Sequence, residues 1–249
     1  MIYLQSFTLS SRKLACPNIY PYHVFRGREG MQFVFDRITV LYGSNGSGKS
    51  TLLNLMANKL AVKGKEYATP NTYGNEDYCG NYAKECAVSL GEDEFGRTIR
   101  SIPSDSRYLK SEDILYEIKK IQQKPVLHEG MLLDLLKDGM SVSEAQDFLA
   151  SKEGWKLREG AQFSQEKYSN GETSLQYFDD FIRPDALYLL DEPEVSLSPD
   201  NQVVLAEKLN DMARLLGCQL VIATHSPFML GTLQAKIYDL DSRDYRIAN

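Results

Sequence analysis

Apolar positions along this chain recur with two different periods, and the switches between them predict an alternation of strands and helices. Met1 to Leu9 alternates apolar and polar residues, as a half-buried strand does. Met31 to Phe35 reads as a second strand, and Ile38-Thr39-Val40-Leu41-Tyr42, short and β-branched, as a third. The period then changes. Leu52, Leu53, Met56 and Leu60 fall at helical spacing between Thr51 and about Leu60. From Lys63 to Phe95 the chain is rich in Gly, Asn, Tyr and Glu, which predicts exposed loops and short strands, with one strand candidate at Glu85 to Leu90. Arg97 to Ile102 is another candidate, broken at Pro103.

Residues 111 to 158 read as helical. Ser111 suits an N-cap with Glu112 and Asp113 in the first turn, Ile114, Ile118 and Ile121 share a face, and Pro125 ends it. Leu132, Leu133, Leu135 and Leu136 suggest a second helix. Ser141 and Glu144 form a capping-box pattern for a third, with Ala150 near its end. The block is either an inserted helical lobe or a cover over the main sheet. After it the alternation resumes. Ala186 to Leu190 is an apolar strand, and Ser198 and Pro199 open a helix as N-cap and N1. Leu205, Leu209, Met212 and Leu216 form that helix's buried stripe, and Gly217 stops it. Gln219 to Ala223 is a further buried strand and Lys236 to Leu240 the last. Strands apolar throughout, alternating with helices, predict a parallel sheet covered on both faces.

Composition narrows the class. The chain has 249 residues, 43% hydrophobic and 25% charged, enough for a sizeable core. Its net charge of −6 gives no global attraction to nucleic acid or an anionic membrane. No apolar run approaches the roughly 20 residues that span a bilayer, and the N-terminus lacks the basic-then-apolar order of a signal peptide. Cys16, Cys79, Cys86 and Cys218 lack metal-ligand spacing, so free thiols and a cytoplasmic location are expected.

Candidate chemistry centres on Gly43-Ser44-Asn45-Gly46-Ser47-Gly48-Lys49-Ser50-Thr51, which fits G-x-x-x-x-G-K-[ST] between a strand and a helix. Its glycines let backbone N–H groups converge on phosphate oxygens, and the helix N-terminus adds partial positive charge. Lys49 neutralises phosphate charge, and the Ser50 hydroxyl is placed to ligate Mg²⁺. Downstream, Leu187-Tyr188-Leu189-Leu190 delivers Asp191 and Glu192 at a strand's C-terminal end, where ligands bind in open α/β sheets. Asp191 suits Mg²⁺, and Glu192, pointing the other way, suits polarisation of an attacking water. His225, in Ala223-Thr224-His225-Ser226-Pro227 after another buried strand, is expected to reach a γ-phosphate. Ser169-Asn170-Gly171-Glu172 opens a helix with capping residues and bare backbone, a ready anion site. Glu194 to Pro199 connects the carboxylate pair to the next helix.

Taken in order, these stretches resemble the ABC class of ATPases over essentially the whole chain. Gly43 to Thr51 resembles Walker A, and Leu187 to Glu192 resembles Walker B with its catalytic Glu. Ser169 to Glu172 resembles the signature motif, with Ser-Asn-Gly-Glu for the usual Ser-Gly-Gly-Gln. Ser196 to Ser198 sits at the D-loop, and His225 matches the switch histidine. The resemblance is to small stand-alone "AAA family" or ABC-like ATPases, and to chromosome-maintenance and DNA-repair heads more than to transporter subunits. Two parts of the pattern depart. There is no glutamine-bearing Q-loop, whose place would be near Ser104-Asp105. The adenine-stacking aromatic has two candidates, Tyr22 and Phe25, between which spacing does not choose. The chain lacks the long heptads of coiled-coil arms.

The resemblance implies one ABC-type ATPase domain over residues 1–249, a P-loop NTPase of the α/β class. It would have a mainly parallel sheet, an antiparallel β portion near the N-terminus and a helical lobe at about 111–182. It implies ATP and Mg²⁺ as cofactors, Lys49, Glu192 and His225 in catalysis, and an ATP-sandwiched homodimer in which Ser169 and Gly171 of one copy cover the γ-phosphate held by Lys49 of the other. Two alternatives stay open: the ATP-binding subunit of a membrane transporter, and a nucleic-acid-linked component of a repair or phage-defence complex. For the last, Arg97, Arg100, Arg107 and Lys110 form either a basic patch or a solvated face.

Overall fold

The computed structural model describes residues 1–14, 18–66, 77–93, 95–110, 112–114, 116, 130–154, 175, 178–179, 181–242 and 247–248. Spatial clustering divides the chain into two compact units, Met1–Ser111 with Ile182–Asn249, and Glu112–Phe181.

The first unit is built on a six-stranded sheet. Its members in chain order are β3 (Ile38–Tyr42), β5 (Arg107–Lys110), β6 (Leu187–Asp191), β7 (Gln219–Thr224), β8 (Lys236–Asp239) and β9 (Ile247–Ala248). They lie side by side in the order β5-β6-β7-β3-β8-β9. All neighbours pair in parallel except β8 with β9. Every residue of β6 and β7 is buried, as the unbroken apolar pattern predicts. A second, antiparallel sheet has the order β2-β1-β4, from β1 (Leu4–Thr8), β2 (Gln32–Val34) and β4 (Ala87–Leu90). This is the expected α/β architecture with an antiparallel portion near the N-terminus.

Helix α1 (Lys49–Leu60) leaves the end of β3 and buries Leu52, Leu53, Leu55 and Met56 in the core that includes Leu187, Leu189 and Val221. Two buried side chains fasten the small sheet to the large one. The fully buried Gln219 amide accepts from the N–H groups of Tyr3 and Leu4, each at 2.8 Å, and donates to the Leu4 and Asp36 carbonyls. The Tyr238 hydroxyl accepts from the Val34 N–H and donates to its carbonyl. Replacing Gln219 by Ala strands four backbone groups, two of them N–H donors in the interior. We expect a loss of about 3 kcal/mol of stability, read as a lower urea midpoint with an unchanged slope.

Two elements differ from expectation. Helix α2 (Tyr78–Glu85) occupies a stretch read as loop and strand, and β4 starts only at Ala87. Asp77 caps α2 by accepting from the Gly80 N–H at 2.8 Å, and burial of Tyr82 and Ala83 holds a sequence of poor helix propensity. The outer strand is Arg107–Lys110, not Arg97 to Ile102, where there is only an isolated bridge between Glu92 and Thr98. Helix α4 (Pro199–Leu215), named after α3 (Val142–Ala150) of the second unit, has Ser198 as N-cap and Pro199 at N1 as predicted. The Asn210 side chain on α4 binds the Thr232 carbonyl of α5 (Pro227–Thr232) and the Gln234 N–H beyond it.

In the second unit, residues 130–137 are helical and α3 follows. The capping box is present. Ser141 and Glu144 exchange side-chain-to-backbone bonds, and Ala145 and Leu149 are buried. Among the described residues this unit contains no strand.

Candidate functional site

Parallel pairing puts the C-terminal ends of β3, β6 and β7 on one edge of the sheet, and most of the candidate residues emerge there. From β3 the chain enters the glycine loop. Gly48 is the N-cap of α1 in the left-handed region, at φ 97°, and a Cβ there would lie 2.7 Å from Val24 Cγ1. Only glycine fits. No side chain caps α1 and its first turn holds no acid, so its leading N–H groups and partial positive charge are left for an anion. Beneath the loop the buried Lys49 ammonium donates to the carbonyls of Gly43 at 2.8 Å and Ser44 at 3.0 Å.

Across from the loop stands Asp191, the last residue of β6. Ser50 Oγ donates to its Oδ1 at 3.1 Å, and the Tyr108 hydroxyl on β5 donates to its Oδ2 at 3.2 Å. Burial pushes the Asp191 carboxyl above the usual range, against the pull of those two hydroxyls, with the neighbouring Glu192 charge adding to the rise. Glu192 has φ 48°, uncommon for a residue with a side chain, and its N–H donates to the Ala223 carbonyl at 2.9 Å. The two adjacent carboxylates have different partners. Glu192 Oε1 lies 3.1 Å from His225 Nδ1, at the end of β7. Three further bonds lace the segment after Glu192 to the one around His225. Thr224 Oγ1 donates to the buried Glu194, and Gln202 spans from the Leu197 carbonyl to the Ser226 hydroxyl.

Ser50 thus meets Asp191, and Glu192 meets His225, on the edge of the sheet where Lys49 lies. Ser169, Asn170, Gly171 and Glu172 lie outside the described residues. Tyr22 and Phe25 do not suit adenine stacking: they are 8% and 1% exposed and pack against Tyr82. An exposed aromatic beside the loop is Tyr20, 46% exposed, whose hydroxyl donates to Thr51 Oγ1 at 3.3 Å. Ser104 and Asp105 precede the outer strand β5 instead of following it, so they do not occupy the Q-loop place. Sequence reading missed Tyr108 and also Asp241, whose carboxylate holds Ser44. Neither belongs to a local motif.

A sequence model of the family described as "AAA domain, putative AbiEii toxin, Type IV TA system" matches residues 79–231. The chain belongs to this AAA-domain family. In this AAA-domain chain the match takes in β5, the Asp191–Glu192 pair and His225, and begins after the glycine loop. Comparison with curated proteins gives no match. Among solved structures, a nucleotide-free ATP-binding cassette from an ABC transporter is similar over 100% of this chain and 90% of its own, at 14% identity and a TM-score of 0.46. The SMC head domain from Thermotoga maritima is similar over 96% and 94%, at 13% identity and 0.46. A dimeric bacterial ABC transporter cassette is similar over 96% and 94%, at 16% identity and 0.42. No helix among the described residues is long and apolar enough to cross a membrane.

Proposed function

We propose that this AAA-domain chain is a Mg²⁺-dependent ATPase that works as a molecular switch in the cytoplasm, cycling through an ATP-sandwiched homodimer. The observation that carries the reading is the meeting of Ser50 and Asp191, 141 residues apart in sequence, at the mouth of an uncapped helix N-terminus, with Glu192 and His225 beside them. A hydroxyl and a carboxylate are the hard oxygen donors that Mg²⁺ selects, so Ser50 and Asp191 fit as its holders. The ion, when bound, supplies charge neutralisation across the phosphate oxygens. The loop's N–H groups and Lys49 bind and orient the triphosphate. Glu192 takes the proton of the attacking water and His225 holds the Glu192 carboxylate in place. Positioning and electrostatics account for most of the acceleration.

The dimer rests on the resemblance to ABC-class ATPases: Ser169-Asn170-Gly171-Glu172 of one copy would take the place of the signature motif and close the site of the other, and residues 1–249 would act together as one ATPase domain. A two-fold pairing makes two equivalent sites. A second reading follows the family's description, which names a toxin of a type IV toxin–antitoxin system: the ATPase times an interaction with a dedicated partner. The basic patch gives little support to nucleic acid as that partner, because Arg97 pairs with Asp93 and Lys110 with Glu66. Native co-purification separates the readings. A chain recovered alone that hydrolyses ATP supports the stand-alone switch. A stoichiometric protein partner supports the second reading, and a membrane protein the transporter alternative.

A further inference from the structure

At the far end of β8, the strand beside β3, the chain turns through residues 239–242. That turn is tied down from several sides. The Asp241 N–H donates to Asp239 Oδ1 at 2.9 Å, and Ser242 Oγ donates to the Asp239 carbonyl at 2.7 Å. Arg28 Nη2, from the loop before β2, donates to the carbonyls of Leu240 at 3.3 Å and Ser242 at 3.1 Å. The Leu240 N–H donates to the Tyr42 carbonyl, one residue before the glycine loop.

From this platform the Asp241 carboxylate grips Ser44 with both oxygens. Oδ2 accepts from the Ser44 N–H at 2.8 Å and Oδ1 accepts from Ser44 Oγ at 2.9 Å. Ser44 is where the loop's other constraints converge. Its carbonyl accepts from the Ser47 N–H at 3.2 Å and from the Lys49 ammonium at 3.0 Å. Packing is tight at the same point: a Cβ on Gly43 would lie 2.6 Å from Ser47 Oγ and 3.4 Å from Asp241 Oδ1. Asp241 therefore fixes the peptide against which Lys49 rests.

We propose that Asp241 is a positioning residue for nucleotide binding, holding Ser44 so that the loop's N–H groups and Lys49 stay converged on the phosphate position. This rests on the ATPase reading above. A negative charge close to a polyphosphate site opposes binding by itself, so its benefit has to come from geometry. Ser44 and Asp241 are both exposed, and exposed hydrogen bonds add little to folding stability. The effect should thus appear in affinity and not in the melting temperature.

The test compares the wild-type chain with Asp241→Ala, Asp241→Asn, Ser44→Ala and the Ser44→Ala/Asp241→Ala pair, using ATP titration, steady-state hydrolysis and thermal melting. Asp241→Ala should raise the ATP Kd and KM about five- to tenfold, with kcat within about twofold and the melting midpoint nearly unmoved. Asp241→Asn, which keeps one acceptor, should fall between it and wild type. The pair should be no worse than Asp241→Ala alone, because both changes remove the same contact. Unchanged affinity in Asp241→Ala would overturn the proposal. Tighter binding in both Asp241 variants would overturn it too, since that marks the carboxylate as mere repulsion. Losses that multiply in the pair would separate Asp241 from Ser44 and likewise refute it. Lys49→Ala is the control. If it weakens ATP binding about 100-fold, the ATPase reading stands whatever Asp241 does; a wild-type chain that binds no ATP ends both.

Discussion

Lys49→Ala should weaken ATP binding about 100-fold, the largest expected effect on affinity in this chain. On the ATPase reading the loop would meet the triphosphate mainly with backbone dipoles, and Lys49 is the one full positive charge built into the loop. Its ammonium is buried and already leans on the Gly43 and Ser44 carbonyls, so it needs only a small swing to exchange carbonyl oxygens for phosphate oxygens. That exchange gains a charge-assisted hydrogen bond, and its loss leaves phosphate charge uncompensated. Lys49→Arg should not rescue, because a branched guanidinium replaces a compact ammonium beneath a tight loop. Equilibrium titration with ATP is the measurement, and an unchanged Kd in Lys49→Ala would remove the nucleotide from this loop.

Glu192→Gln separates binding from chemistry. Ser50, Asp191 and Lys49 are untouched, and Gln has nearly the shape of Glu, so ATP and Mg²⁺ should bind as before. Hydrolysis should fall roughly 10²- to 10⁴-fold, because an amide cannot accept the water's proton. The His225 contact at 3.1 Å survives as a hydrogen bond to the amide oxygen, which keeps the side chain in place. Unhydrolysed ATP should then stay bound. If Ser169-Asn170-Gly171 of one copy caps the γ-phosphate of the other, the Glu192→Gln chain should run at twice its monomer mass with ATP and at monomer mass with ADP. Adding Ser169→Arg should abolish the shift, since a bulky cation would collide with the facing loop. Light scattering on a sizing column reads all three. A variant that retains ATP yet shows one mass in every condition would rule out the sandwich dimer and leave the fold untouched.

What the chain disclosed in advance depended on whether the signal was local. Leu187–Asp191 and Gln219–Thr224 were legible because a strand buried on both faces must be apolar throughout. The Ser198–Pro199 start and the Ser141–Glu144 box were legible because capping chemistry sits within four residues. The outer strand Arg107–Lys110 was missed because only Tyr108 and Leu109 are buried between two cations, and four residues make no period. Helix α2 was missed because Gly80 and Asn81 argue against a helix that tertiary burial of Tyr82 upholds. In the site, the glycine loop and the Asp191–Glu192 pair announce themselves by motif. Tyr108 reaches Asp191 across 83 residues and Asp241 reaches Ser44 across 197, contacts that only the sheet order β5-β6 and β3-β8 brings about. Spacing alone does not say which aromatic near the loop the core absorbs; it buries Tyr22 and Phe25 and leaves Tyr20 exposed.

On the proposed reading Ser50, Asp191 and Glu192 form a hydrolytic centre. Phosphate release from saturating ATP by the purified chain, measured with Mg²⁺, with the metal chelated, and with Glu192→Gln in Mg²⁺, tests it most directly. Saturable release by the wild type in Mg²⁺ and almost none in the other two conditions is the expected result. Release by Glu192→Gln at the wild-type rate, or a wild-type rate indifferent to chelation, would contradict it.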